Sequence, residues 1–227
     1  MTPLGDVGPA QVIAPGAVFP PTGVSVVVFD VVGTLIEPSP TVAVAYQRAA
    51  ASPGVERDPH AIQQRFKAAW RRQEALDAAA TPAFATSRSR EAERWRSIVE
   101  EVFDDTASSA AIFADLWDHF GRVEAWRPLA RGRELLRLAL EANATVALAS
   151  NFDERLLAIA GHLEPLSWVP HVFPSSEIGW RKPAPEFFRW LERRLACRPA
   201  EALLVGDDPE LDVAAAQRAG WRALGIA

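Results

Sequence analysis

The sequence predicts an α/β protein: a doubly wound, Rossmann-like parallel sheet with an all-helical domain inserted after its first strand. Three observations predict it. Residues 24–29 are apolar nearly throughout, as a parallel strand covered on both faces should be. Beyond Pro128, strand-like and helix-like segments alternate, which implies parallel strands joined by crossover helices. Between these regions, residues 40–127 show helical spacing alone.

Residues 1–22 hold five prolines and no helical or alternating period, so they read as an extended or loosely packed tail. The first strand, 24–29, delivers Asp30 to a Gly33-Thr34 turn. A helix is expected from residue 40 to about 51. Asp58 and Pro59 then form a cap and first helical residue for a stripe of Ile62, Phe66, Ala69, Trp70 and Leu76. Trp95, Ile98, Val99, Val102 and Phe103 make the next stripe, and Ile112, Phe113, Leu116, Trp117 and Phe120 the last. Together they form a helical bundle over 39–127, set into a core made of 23–38 and 128–227. In that core, helices are expected at 133–141, 154–161, 185–195 and 209–219, the last closed by Gly220. Strands are expected at 145–149, 202–205 and 222–226, with a short one within 168–175.

Composition narrows the function classes. At 227 residues, 49% hydrophobic and 23% charged, the chain can bury one substantial core plus a smaller module. A net charge of −5 without a basic cluster argues against nucleic acid as the main partner. No apolar run approaches the ~20 residues that span a bilayer. Cys197 is the single cysteine, which excludes an internal disulfide and fits a reducing compartment. The first 22 residues lack Lys and Arg, so the expected location is the cytoplasm. The chain has 22 arginines and only two lysines, Lys67 and Lys182. Coding bias accounts for most of that skew, yet in such a chain a lysine marks a position where arginine will not serve.

In parallel α/β sheets ligands sit at the carboxyl ends of the strands. There this sequence puts Asp30, Ser150-Asn151 and Gly206-Asp207-Asp208, with Lys182 just before the 185–195 helix. Acidic, basic and hydroxyl groups therefore converge on one sheet edge. The segments that carry them also show a family resemblance. FDVVGTL (29–35) resembles the first motif of the haloacid dehalogenase superfamily of hydrolases, and ALASN (147–151) the second. EIGWRKPAPEFF (177–188) is similar to the third and LLVGDDPELD (203–212) to the fourth. The helical insert resembles the cap found after the first motif in many members.

This resemblance implies a role for each matched residue. Asp30 would be the nucleophile, forming a covalent aspartyl intermediate. Asp30, Asp207 and the backbone oxygen of Val32 would bind Mg²⁺, with Asp212 holding a metal-bound water or orienting Lys182. Ser150 would hydrogen-bond substrate oxygens, and Gly33, Thr34 and Asn151 complete the substrate-binding loops. Lys182 would offset the negative charge of nucleophile and substrate. The partner implied is a small anionic molecule selected by the cap. Read without the resemblance, Asp208 is a helix N-cap before Pro209, and Asp212 a favourable first-turn carboxylate.

The departure from the family pattern is Val32. In the family's phosphatases this position usually holds a second aspartate, which protonates the leaving group and then activates water. Valine does neither, and such acid–base catalysis is worth ~10²–10⁴ in rate. Three readings stay open. The favoured one is a Mg²⁺-dependent phosphohydrolase whose substrate has a good leaving group, such as an acyl phosphate or phenolic ester, and which is weak on aliphatic esters. The second is a carbon–halogen or phosphonate hydrolase: Ser150-Asn151 resembles the dehalogenases, and Lys67 is the only cap lysine available as a Schiff base. The third is a catalytically impaired binding or scaffold protein. Arg71, Arg72, Arg88, Arg90 and Arg94 are candidates to meet an anion, though their main reading is a solvated helix face. His60, His119, His162 and His171 lack ligand spacing, and the eight tryptophans read as packing, with Trp180 the one to test beside Lys182.

Overall fold

A computed structural model describes residues 19–226 other than Ser52, Pro53, Glu56 and Asp105. β1 (Val26–Phe29) leads through the Gly-Thr turn to a short strand, β2 (Ile36–Pro38). Four helices follow: α1 (Val42–Ala51), α2 (Pro59–Ala79), α3 (Arg88–Phe103) and α4 (Thr106–His119). β3 (Trp126–Pro128) then returns to pair antiparallel with β2. After it come α5 (Ala130–Glu141), β4 (Thr145–Ser150), α6 (Arg155–His162) and β5 (His171–Pro174). The chain ends with α7 (Ser175–Ile178), α8 (Pro185–Leu195), β6 (Ala202–Gly206), α9 (Ala215–Arg218) and β7 (Arg222–Gly225).

The main sheet has the order β5-β4-β1-β6-β7, and every pair is parallel. β1 sits in the middle, with Phe29 in register with Leu148 on one side and Val205 on the other. The chain builds outward from β1 in one direction and then crosses to the other side. That reversal opens a crevice at the carboxyl ends of β4, β1 and β6, where ligands bind in such sheets.

Strand alternation explains why β1 is apolar throughout. Val27 and Phe29 face one layer, where they pack with Leu136, Leu156 and Ile159 from α5 and α6. Val26 and Val28 face the other, against Phe187, Phe188 and Leu191 of α8. A third cluster lies wholly within α1–α4 and includes Tyr46, Ile62, Ile98, Val102 and Ile112. The start of α2 follows its sequence signals: the Asp58 carboxylate accepts the Ala61 N–H at 3.0 Å, and Pro59 opens the helix.

Four details differ from the sequence reading. Leu76, placed on the buried stripe, is 52% exposed. The β2–β3 ribbon, where the helical segment leaves and rejoins the sheet, has no counterpart in the sequence pattern. The segment 209–219 opens as a wide π-type turn, Pro209–Ala214, before α9. The proline-rich segment 1–22 lies mostly outside the described residues, but Phe19 is buried and joins the cluster under α5 and α6. Among the described residues, no helix is long and apolar enough to cross a membrane.

Candidate active site

β1 carries Asp30 out of the sheet, with its N–H donated to the Val205 carbonyl at 2.8 Å. The chain then turns at Gly33, whose φ of +89° suits glycine. That turn packs against Asp207: a Cβ on Gly33 would lie 2.3 Å from its Oδ2. On the neighbouring strand β6, Gly206 allows a similar approach, since a Cβ there would sit 2.3 Å from Cγ of Asp212. Two missing side chains thus let two carboxylates close on the end of β1.

Lys182 ties the centre together. Its Nζ donates to Asp30 Oδ1 at 2.6 Å and to Asp212 Oδ1 at 2.5 Å. Asp30, Lys182 and Asp212 are buried, whereas Asp207 faces solvent. One oxygen from each of Asp30, Asp207 and Asp212 lies within 4.8 Å of the others. Burial pushes the Asp30 carboxyl well above the usual carboxylate range; Lys182 pulls it back, while Asp212 and Asp207 add to the rise. Burial alone would lower the Lys182 ammonium, but Asp212 and Asp30 outweigh it and hold it protonated. With all three carboxylates ionised and one ammonium between two of them, the pocket is two positive charges short; burial, and then this shortfall, is why Asp30 tends to hold its proton when no cation is bound. An all-oxygen donor set with that deficit and one solvent-facing member fits a hard divalent cation that keeps some of its waters.

Several predicted residues hold other groups in place. Asn151, expected to bind substrate, spends its amide on the Lys182 backbone: Nδ2 donates to the carbonyl at 2.9 Å and Oδ1 accepts the N–H at 2.7 Å. Thr34, also expected to bind substrate, is buried and donates its hydroxyl to Asp207 Oδ1 at 2.8 Å. Asn151 thus braces Lys182 while also lining the cavity described below, and Thr34 braces Asp207. Asp208 caps the following turn, accepting from the N–H groups of Glu210 and Leu211 at 2.8 Å each. The second oxygen of Asp212 accepts the Asp208 N–H at 3.0 Å, which leaves Asp212 to orient Lys182. Ser150 is buried at the end of β4, the strand paired in parallel with β1. Trp180 forms a bridge with Ala85, tying the α2–α3 connection to the core.

Sequence reasoning missed the residue next to Lys182. Arg181 is 1% exposed and grips Glu91 of α3 with Nη1, at 2.7 and 2.8 Å from its two oxygens. Glu74 and Asp77 of α2 also face Arg181, and Arg94 and Arg90 of α3 close the cluster on them. Glu91 further accepts the hydroxyls of Thr86 and Ser175. Burial favours the neutral form of Glu91, yet Arg181 outweighs it and the carboxyl stays below its ordinary range. Arg90 and Arg94, read as solvated, are therefore structural cations between the helices and the sheet. Arg72 and Arg88 pair with Glu101 and Glu177. Only a short Trp-Arg-Lys run hinted at this cluster, since Arg181 and Glu91 lie 90 positions apart.

A cavity of about 550 Å³ opens between the helices and the strand-end loops. Val32 and Asn151 line it from the sheet side, and Trp70, Trp95 and Trp117 from α2, α3 and α4. Trp70 and Trp95 pack against the helical cluster, as read from the sequence, and the three tryptophans also line this space.

A family model for haloacid dehalogenase-like hydrolases matches residues 24–220. The chain is 29% identical over 186 residues to human haloacid dehalogenase-like hydrolase domain-containing protein 3, covering 79% of this chain and 72% of that protein. A shorter match, 38% over 76 residues, is to the glyceraldehyde 3-phosphate phosphatase of Methanopyrus kandleri, covering 34% of this chain and 31% of that one. Among solved structures, a defluorinating L-2-haloacid dehalogenase superposes with a TM-score of 0.68 at 20% identity, covering 88% of this chain and 80% of the other, which is a likeness of fold.

Proposed function

Because the chain belongs to the haloacid dehalogenase-like hydrolases, we propose that it is a Mg²⁺-dependent phosphohydrolase acting through Asp30 on a small phosphorylated molecule with a good leaving group. The observation that carries this reading is the charge count at the strand ends. Asp30 and Asp212 hold Lys182 and Asp207 lies within 4.8 Å of both carboxylates, a deficit of two positive charges when all are ionised, while position 32 offers no proton carrier. The nucleophile and its electrostatic support are present; the acid–base partner is not.

Each residue has a task in this scheme. An Asp30 oxygen attacks phosphorus, and the leaving group departs with the bonding electron pair. Water then cleaves the aspartyl phosphate and restores the carboxylate. Lys182 lowers the repulsion between Asp30 and the incoming anion, and Asp212 and Asn151 fix where its ammonium sits. The Ser150 hydroxyl and the N–H groups after it bind phosphoryl oxygens. Mg²⁺ held by Asp30, Asp207 and the Val32 carbonyl, with Asp212 behind, would supply charge neutralisation at the transferring group. An acyl or phenolic oxygen leaves without a proton, so Val32 penalises that first step little and an alkoxide heavily, while the water of the second step lacks the usual base with either substrate. The match to a phosphatase supports the phosphoryl class.

A second reading, phosphonate hydrolysis through a Schiff base, is favoured by one observation: Lys67 lines the same cavity as Val32. Reductive trapping of a carbonyl phosphonate on Lys67 by borohydride would support it.

The test is thermal. Mg²⁺ should raise Tm, and beryllofluoride should raise it further by seating on Asp30. Asp30→Asn should remove the second rise. No response to either ligand would end the phosphohydrolase reading, and halide release from 2-haloacids with metal chelated would replace it with dehalogenation.

A further inference from the structure

The cavity between the helices and the sheet edge has a chemistry of its own. Protein interiors close to crystal-like density and keep few voids larger than a water molecule. Ligand cavities measure roughly 300–1,000 Å³ and are mostly apolar with a few polar groups. At about 550 Å³, this space belongs to the second class.

Its walls are rings. Tyr46 of α1, Phe66 and Trp70 of α2, Trp95 of α3, and Phe113 and Trp117 of α4 face into it. Trp126 and Phe152, 5.7 Å apart between ring centroids, continue the lining on the sheet side. Two of the polar groups that line the cavity, Asn151 and Arg155, are already engaged, which leaves Lys67 and Arg71 on the α2 side. Asn151 holds the Lys182 backbone. Arg155 is locked to the buried Asp153 by two contacts of 2.7 Å, and its guanidinium stacks 3.5 Å over Trp117. A sugar or glycerol phosphate would set most of its hydroxyls against rings, with only the α2 edge offering free polar groups. An aromatic body would gain stacked and edge-on ring contacts.

Two further features point the same way. The cavity meets the catalytic edge at Val32 and Asn151, the neighbours of Asp30 and Ser150. Lys67 and Arg71 lie exposed along its α2 side, with no ion-pair partner among the described residues, and favour entry of an anion.

We propose that the substrate is a phosphate ester or acyl phosphate of a bulky aromatic compound, its ring system filling this cavity while its phosphoryl end meets Asp30. The proposal rests on the phosphohydrolase reading and names its substrate class. It also accounts for position 32, where an aliphatic side chain suits an aromatic neighbour and an aryl oxygen departs without an acid. For an aryl ester, the Asp30–phosphorus bond forms as the aryl oxygen–phosphorus bond breaks, and the phenolate leaves with the electron pair. Water then attacks phosphorus, inorganic phosphate leaves, Asp30 recovers its carboxylate, and the water proton ends on the phenolate.

The experiment compares two unreactive probes, 1-naphthylphosphonate and methylphosphonate, by titration calorimetry on the Mg²⁺-loaded protein. The naphthyl probe should bind at least tenfold more tightly. Val42→Trp places a large ring into the cavity from α1 and should remove that advantage. Phe113→Ala, which deletes one wall, should reduce it several-fold and serves where Val42→Trp does not fold. Equal affinities overturn the proposal while leaving the phosphohydrolase reading intact. An advantage that survives both substitutions overturns the cavity as the seat of the ring. Binding of neither probe overturns the phosphohydrolase reading, and the proposal with it.

Discussion

Replacing Arg181 with methionine isolates the charge cluster that joins α2 and α3 to the sheet. Arg181 and Glu91 are each 1% exposed, and two oxygens of Glu91 lie 2.7 and 2.8 Å from Arg181 Nη1. Methionine fills much of the same volume, so the change removes charge more than packing. Glu91 is left buried with Arg94 as its remaining cationic neighbour. Breaking a buried pair from one side costs about 3–5 kcal/mol, because the partner keeps its desolvation penalty without compensation. In a protein of this size each kcal/mol moves Tm by about 2–4 °C, so a fall of roughly 6–20 °C is expected in calorimetry. Glu91→Met alone should be comparably harmful. The double variant Arg181→Met, Glu91→Met should recover much of the loss, short of about 1–2 kcal/mol for the stranded Thr86 hydroxyl, since Ser175 keeps the Phe152 carbonyl at 3.1 Å. Strictly additive effects, or a single variant within about 1 kcal/mol of the parent, would refute the reasoning.

Three further outcomes follow from the geometry. Val32→Asp should raise phosphate release from p-nitrophenyl phosphate, and more steeply from an aliphatic ester, within the ~10²–10⁴ range of acid–base catalysis; steady-state assays of the folded variant check it. Gly33→Ala forces a Cβ to within 2.3 Å of Asp207 at a φ of +89°. Asp207 must shift, so the Mg²⁺-induced rise in Tm should vanish and turnover fall by about 10²-fold. Glu91 titrates below its ordinary value in the folded state, so its contribution is complete above the unfolded pKa of about 4.3 and disappears as pH falls through the folded one. Glu91→Gln should therefore lower stability at pH 7 and flatten the acid decline, as read by urea unfolding from pH 7 to 3.

The sheet was legible because its signals are local. β1 is a continuous apolar run, and Asp58 as a cap and Pro185 as a first helical residue mark helix starts that the fold obeys. Asp30, Lys182, Asp207 and Asp212 could be assembled because each sits where a strand or loop ends, a position that the order of elements defines. The hydrogen bonds of Asn151 to the Lys182 backbone and of Thr34 to Asp207 could not, since hydroxyl and amide groups at strand ends look alike whether they face a ligand or a neighbouring group. The β2–β3 ribbon has three residues per strand, too few to show a period. The aromatic cavity was hidden for a different reason. A stripe of Phe66 and Trp70 reads the same whether helices touch or stand apart, because spacing along one helix says nothing of the distance between two.

Arg181 and Lys182 are consecutive, and this adjacency couples two events that many enzymes keep apart. The first of the pair is fastened into the helices, and its N–H also donates to the carbonyl of Phe84. The second holds Asp30, the proposed nucleophile. Lifting the roof to admit a molecule or free a product would therefore tug on the ammonium that steadies Asp30. In this chain, access and readiness would rise and fall along a single peptide link.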